Sequence, residues 1–150
     1  MKRCFLFGHR IVASDISDRL IAAIERCIVE RSVTEFVVGG YGEFDLLAAN
    51  TVARIKSAYP TVRLFRLLPY HPAERTVETS DLFDGTVFPD GLERVPRRFA
   101  IIRANRYMID RADCLITYVC YSAGNARQLL DYALRKKNAN GILIENLGKG

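Results

Sequence analysis

Three short apolar runs in this chain end at a glycine-bearing turn and pass into a helical pattern: Phe7-Gly8-His9-Arg10, Gly39-Gly40-Tyr41-Gly42 and Ser122-Ala123-Gly124-Asn125. Apolar runs of roughly four to eight residues alternating with stripes at i, i+3, i+4 and i+7 read as strands and helices in turn. Parallel strands need a crossover between them, so this alternation specifies a parallel sheet with helices packed on its faces. In such sheets ligands bind outside the carboxyl ends of the strands, and all three turns fall at predicted carboxyl ends. Where a helix opens at such a turn, its unpaired N–H groups and positive dipole end favour an anion. Turns from adjacent strands converge on one crevice.

The periodicity predicts a strand from Arg3 to Phe7, followed by a helical stripe of Ile16, Leu20, Ala23, Ile24, Cys27 and Ile28 that Ser14 or Asp15 can cap. A second strand, Glu35 to Val38, leads through the glycine turn to a stripe of Phe44, Leu47, Ala48, Val52 and Ile55. A third strand spans Thr61 to Leu68 and stops at Pro69-Tyr70-His71-Pro72, since closely spaced prolines cannot continue a ladder. The stretch 73–96 has turn formers and no sustained period, and its length suits either a partly ordered flap over the site or a disordered segment. A helix follows Pro96, then a strand from Cys114 to Val119, the stripe Ala126, Leu129, Leu130, Ala133 and Leu134, and a strand from Gly141 to Leu147. The expected fold is a single α/β domain, a doubly wound, Rossmann-like sheet of about five parallel strands in three layers.

A chain of 150 residues can bury a core without staples. Its four cysteines show no close C-x-x-C pairing and fit reduced packing residues. With only His9 and His71 as histidines, a metal site is not expected, and no cofactor is indicated. No apolar run reaches membrane-spanning length and the start runs straight into a strand, so an untargeted cytoplasmic protein is expected, with no membrane partner. The net charge of +5 is spread over nearly every segment, which favours solvated surface over a nucleic-acid footprint.

The turns carry the candidate chemistry. Gly8 permits close backbone approach, Arg10 supplies a bidentate donor, and His9 is either a hydrogen-bonding turn residue or an acid or base. The second turn, Gly39, Gly40, Tyr41 and Gly42, has neither dinucleotide nor Walker spacing; its glycines leave room for a ligand. Glu43 and Asp45 in the following helical turn either stabilise the dipole or accept hydrogen bonds from a sugar or base. Arg98, Arg103 and Asn105 lie among the arginines of the helix after the flap, where they serve a ligand or make surface ion pairs. Arg103 and Arg106, one turn apart, can point together. Ser122, Ala123, Gly124 and Asn125 form a possible anion seat, and no nucleophile elbow surrounds Ser122.

Taken together, Phe7-Gly8-His9-Arg10, Val37-Val38-Gly39-Gly40-Tyr41-Gly42-Glu43-Phe44-Asp45, Leu68-Pro69-Tyr70 and Arg103-Ala104-Asn105-Arg106-Tyr107-Met108 resemble the SLOG superfamily, most closely its short single-domain, YpsA-like members. The resemblance extends over Val95 to Ile101 and Asp113 to Val119. It implies a Rossmann-like domain that binds a nucleotide or nucleotide-derived small molecule, often as a homodimer or larger homo-oligomer. The superfamily also contains the LOG phosphoribohydrolases and the DprA proteins, which bind single-stranded DNA. Met108 and Asp113 fit the LOG spacing, but Tyr121-Ser122-Ala123-Gly124-Asn125-Ala126-Arg127-Gln128 stands where that pattern has Pro-Gly-Gly-x-Gly-Thr and paired glutamates. Both carboxylates that would stabilise an oxocarbenium-like charge are missing. Two other readings stay open: an N-glycoside hydrolase or nucleoside transferase using Glu43 or Asp45, and a DNA-binding module of DprA type.

Overall fold

The computed structural model describes residues 2–40, 42–70 and 81–148, with the side chains of 138–140 left aside. Its strands are β1 (Lys2–Gly8), β2 (Val33–Val38), β3 (Arg63–Leu67), β4 (Gly85–Val87), β5 (Cys114–Tyr118) and β6 (Leu143–Asn146). They form one all-parallel sheet in the order β4-β3-β2-β1-β5-β6. The helices are α1 (Ser17–Arg31), α2 (Glu43–Ile55), α3 (Arg97–Arg111) and α4 (Asn125–Asn140). The chain winds outward from β1 to β4, then returns to the other side of β1 for β5 and β6, so the strand order reverses between β1 and β5.

β1 is buried on both faces, as a central parallel strand must be. Cys4 and Leu6 face a core shared with Leu20, Ile24 and Cys27 of α1 and Phe44, Ala48 and Val52 of α2. Phe5 and Phe7 face a second core with Ala104, Met108 and Ile109 of α3 and Leu129, Leu130 and Ala133 of α4. The result is the three-layer Rossmann-like arrangement expected from the alternation. Among the described residues no helix is long and apolar enough to cross a membrane.

Local chemistry explains the boundaries. α1 opens at Ser17, whose N–H is accepted by Asp15 Oδ1 at 3.0 Å, and it ends at Ser32 in the left-handed conformation. Pro96 caps α3 from the position before its first residue. At the sheet's amino end Arg3 pairs with Glu35 at 3.0 Å across the β1–β2 ladder. The Arg3 N–H also donates to Asp113 Oδ2 at 2.9 Å, so Asp113 ties β1 to β5 at the end remote from the glycine turns.

The sheet has one more strand than the five expected. β4 lies within the segment read as a flap and pairs with the β3 edge, held by Asp84, whose carboxylate accepts from the Leu64 N–H at 2.8 Å and from Lys56 Nζ at 2.5 Å. Three residues beside an Asp-Gly pair are too few to display a period, which is why sequence pattern passes over this strand. Residues 71–80 of the same stretch lie outside the described residues.

At the carboxyl end of the sheet Asn146 acts as a side-chain rung. Its Oδ1 accepts from Thr117 Oγ1 at 3.0 Å, from the Val119 N–H at 2.9 Å and from the Gly148 N–H at 3.1 Å, while Nδ2 donates to the Val119 carbonyl at 2.9 Å. The amide thereby fixes the start of the loop that leads from β5 to α4. Replacing it by alanine strands several polar groups, and groups orphaned in this way cost about 1–3 kcal/mol. Asn146→Ala is therefore expected to lower the urea midpoint at unchanged m-value, and an unaltered midpoint would contradict this role.

Candidate functional site

A cavity of about 370 Å³ opens over the carboxyl ends of β1 and β2 on the α3/α4 face of the sheet. Phe5 and Phe7 contribute its apolar floor, with Ala126 and Leu129 of α4. Gly8, His9, Arg10 and Gly39 supply the strand-end turns, and Asp45 enters from the first turn of α2. From α3 come Arg98, Ile101, Ile102 and Asn105, spaced i, i+3, i+4 and i+7, so a single helix face presents all four.

Four polar groups give the cavity its character. Arg10 and Arg98 have no carboxylate partner among the described residues, leaving two full positive charges at the rim. Asp45 is 8% exposed and is the one carboxylate in the lining among the described residues. Asn105 is 9% exposed, and no hydrogen bond engages its amide among the described residues. The amide opens onto the cavity, where it can both donate and accept. α4 adds a further donor set: Gly124 sits at φ 104°, no side chain caps the helix, and Asn125 and Ala126 of its first turn line the cavity.

The β1 turn differs from a strand-to-helix anion turn in one respect. α1 does not begin until Ser17, so the Gly8 turn contributes loop and side-chain groups, and the helix N-terminus at the cavity is that of α4. The glycines are also small for a different reason than ligand approach. A Cβ at Gly8 would lie 2.8 Å from the Phe44 ring, one at Gly40 would lie 2.6 Å from the Arg66 guanidinium, and one at Gly42 would lie 2.5 Å from Arg10 Cα. Of the second turn only Gly39 lines the cavity; Tyr41 lies outside the described residues.

Glu43 is occupied elsewhere. Its N–H donates to the Arg10 carbonyl at 2.8 Å, and its Oε2 accepts from the Val12 N–H at 2.8 Å. Together with the close approach at Gly42, these bonds clip residues 10–12 onto the start of α2. The two acids of this helical turn thus separate: Glu43 holds a loop and Asp45 lines the cavity. Ser122, Ala123 and Gly124 are exposed and do not line it, and Arg103 faces a different cavity with Arg106.

His9 closes the gap where the strand order reverses. Its N–H donates to the Tyr118 carbonyl at 3.2 Å, and its Nε2 accepts from the Cys120 N–H at 2.9 Å. The ring meets Tyr121 at 4.7 Å and Tyr118 edge-on at 5.7 Å between centroids. An acceptor Nε2 requires the neutral ring with its proton on Nδ1. Burial, assisted by the nearby Arg127 charge, holds the His9 pKa below its ordinary value of 6.5. Asn146 grips the other side of the same loop, a residue that carried no signal in the sequence because its role depends on the register of β6 against β5.

No protein-family model matches the chain, and no curated protein matches it. Among the described residues no group of three or more His, Cys, Asp or Glu side chains is placed to hold a metal ion.

Two tests follow from this geometry. A methyl group at Gly42 must displace the Arg10 backbone, and overpacking of this kind costs about 1–3 kcal/mol, so Gly42→Ala is expected to lower the urea midpoint. A midpoint equal to wild type would show that the loop gives way freely. Because the His9 pKa is lower folded than unfolded, the unfolded chain binds the extra proton first. The stabilisation is complete above the unfolded value near 6.5 and is lost as pH falls from there through the folded value. Stability measured from pH 7.5 to pH 4.5 should decline less steeply below about 6.5 in His9→Gln than in wild type; superimposable profiles would remove His9 as the clasp.

Proposed function

We propose that the cavity binds a mononucleotide or a closely related nucleotide-derived small molecule. The amide of Asn105 carries the reading, because it lines the cavity with no hydrogen bond among the described residues and so offers both a donor and an acceptor to a ligand. A polar, planar heterocycle edge offers that pairing. Arg98 lies seven residues earlier on the same helix face, about 10 Å along the axis, a separation suited to a phosphate at one end and a base edge at the other. Ile101 and Ile102 lie between them as apolar cover for the intervening ring. Arg10 and the uncapped start of α4 favour the same phosphate, while Asp45 suits the hydroxyls of a ribose.

The volume supports one nucleotide rather than a dinucleotide, since about 370 Å³ is near the small end of ligand pockets, which run from about 300 to 1,000 Å³. The resemblance to the SLOG superfamily supports the same class of ligand. Four free cysteines, three of them buried, are consistent with a reducing compartment, and we place the protein in the cytoplasm on that ground.

A second reading rests on the presence of Asp45 in the lining. A base-releasing hydrolase needs a carboxylate near the anomeric carbon, and Asp45, which lines the cavity, would fill that role. Product formation separates the two readings: turnover that disappears in Asp45→Asn supports the hydrolase, and binding without product supports a sensor or carrier.

The test is a thermal-shift and titration series with nucleosides and nucleoside monophosphates. A ligand present at about one hundred times its dissociation constant adds about 2.7 kcal/mol of stability, which raises Tm measurably. Asn105→Ala and Arg98→Met are each expected to weaken the best monophosphate about tenfold or more, with Arg98→Met sparing the nucleoside. Absence of any shift at millimolar nucleotide, or binding indifferent to both substitutions, would overturn the proposal.

A further inference from the structure

The opposite flank of α3 carries a second cavity of about 370 Å³, between that helix, α4 and the turn at Pro89 to Val95. Arg103, Arg106 and Arg111 line it, together with the rings of Tyr107 and Tyr132. None of the three guanidiniums has a carboxylate partner among the described residues. Two of them are instead laid on aromatic faces. Arg111 lies 3.7 Å from the Tyr107 ring centre and Arg106 lies 4.9 Å from that of Tyr132. Stacking fixes the guanidinium plane and leaves its N–H edge free for an anion.

The acids present do not cancel this charge. Asp110 accepts the Tyr132 hydroxyl at 2.7 Å and pairs with Lys136 at 3.7 Å, so it is committed to α4, and Asp90 is the one other carboxylate in the lining among the described residues. Lys136 and Arg135 also lie over Tyr132, at 5.5 and 5.9 Å, and extend the positive field along α4. A folded protein that gathers five cations around two tyrosines against two acids raises its own self-repulsion, which a bound anion relieves.

We propose that this cavity is a second ligand site, distinct from the one over β1 and β2, and that it takes a compact chain of linked phosphates. Arg103 and Arg111 lie eight residues apart, about 12 Å along the helix axis, more than a lone phosphate spans. Linked phosphoryl groups present several forks of oxygen along that length, and planar guanidiniums bind such oxygens bidentately. A nucleic-acid strand fits less well. The tyrosine faces that would stack bases are already covered by guanidiniums, and Asp90 and Asp110 would interrupt a continuous phosphate track. The linked phosphates come either from inorganic polyphosphate or from the tail of a nucleoside triphosphate.

Isothermal titration of the full chain with inorganic tripolyphosphate tests this directly. Beside any occupancy of the phosphate seat at Arg98, a site that is lost in Arg103→Gln is expected, weakening as salt is raised. Arg103 is exposed and makes no ion pair, so Arg103→Gln should fold as wild type and weaken binding about tenfold, with Arg103→Gln/Arg106→Gln weaker still. Arg98→Met, which alters the other cavity, should leave the Arg103-dependent binding of tripolyphosphate unchanged. Parallel titrations with orthophosphate and a nucleoside triphosphate identify the source: equal affinity for triphosphate and tripolyphosphate marks the phosphate chain alone, and tighter triphosphate binding that is still lost in Arg103→Gln marks a nucleotide tail. No binding at millimolar tripolyphosphate, binding indifferent to Arg103→Gln, orthophosphate binding as tightly as tripolyphosphate, or loss of the Arg103-dependent binding in Arg98→Met would each overturn the proposal.

Discussion

The burial of β1 on both faces is the constraint from which the rest of the architecture follows. Cys4, Phe5, Leu6 and Phe7 leave no polar face, so the strand must lie inside a sheet covered by helices on both sides. Its ladder bonds are satisfied by β2 on one side and β5 on the other, which puts the reversal of strand order beside it. The loops leaving β1 and β5 therefore depart to opposite faces. Such a divergence leaves a gap in most open α/β sheets. Here the His9 ring fills it, and the open space moves sideways onto the α3/α4 face above β1 and β2.

That displacement explains how the candidate residues are distributed. The clip of residues 10–12 onto α2 holds Arg10 at the rim, and it is made by Gly42 and Glu43, neither of which lines the cavity. The clasp at His9 and the rung at Asn146 hold the β5 loop from two sides, so that α4 presents Asn125 and Ala126 to the same space. Side chains with chemistry to offer are held by neighbours whose chemistry is spent on the protein. Glu43, in the same helical turn as Asp45, is one such neighbour, its carboxylate spent on the Val12 N–H.

Much of the fold was legible because its strands and helices repeat a clear period over lengths that periodicity can resolve. β4 was not, since three residues whose pairing depends on Asp84 and Lys56 leave no pattern of their own. Of the site, the sequence indicated which turns would gather at the carboxyl ends, and Gly8, His9, Arg10, Gly39 and Asn125 do meet there. Glycine was the ambiguous symbol. At Gly8, Gly40 and Gly42 the absent side chain makes way for Phe44, Arg66 and Arg10, contacts set by tertiary packing that no local spacing encodes. The helix after Pro96 shows its two faces in its spacing: Arg98, Ile101, Ile102 and Asn105 stand at i, i+3, i+4 and i+7, while Arg103 and Arg106 fall on another face.

α3 is thereby amphipathic in an unusual sense, with its buried positions Ala100, Ala104 and Met108 set between two flanks that each meet a cavity. The flanks differ in kind. One carries an unpaired amide with isoleucines and one arginine, a surface that suits a molecule with apolar and polar parts. The other carries arginines stiffened by tyrosine, which suits charge alone. A surface helix stabilised only for folding would balance these arginines with acids at i+3 or i+4, as Arg127 is balanced by Asp131 on α4. Arg98 and Arg103 have no acid at those positions, and Asp110, four residues after Arg106, is taken up by Tyr132 and Lys136, so the repulsion among these arginines would be offset by anions in the spaces they line.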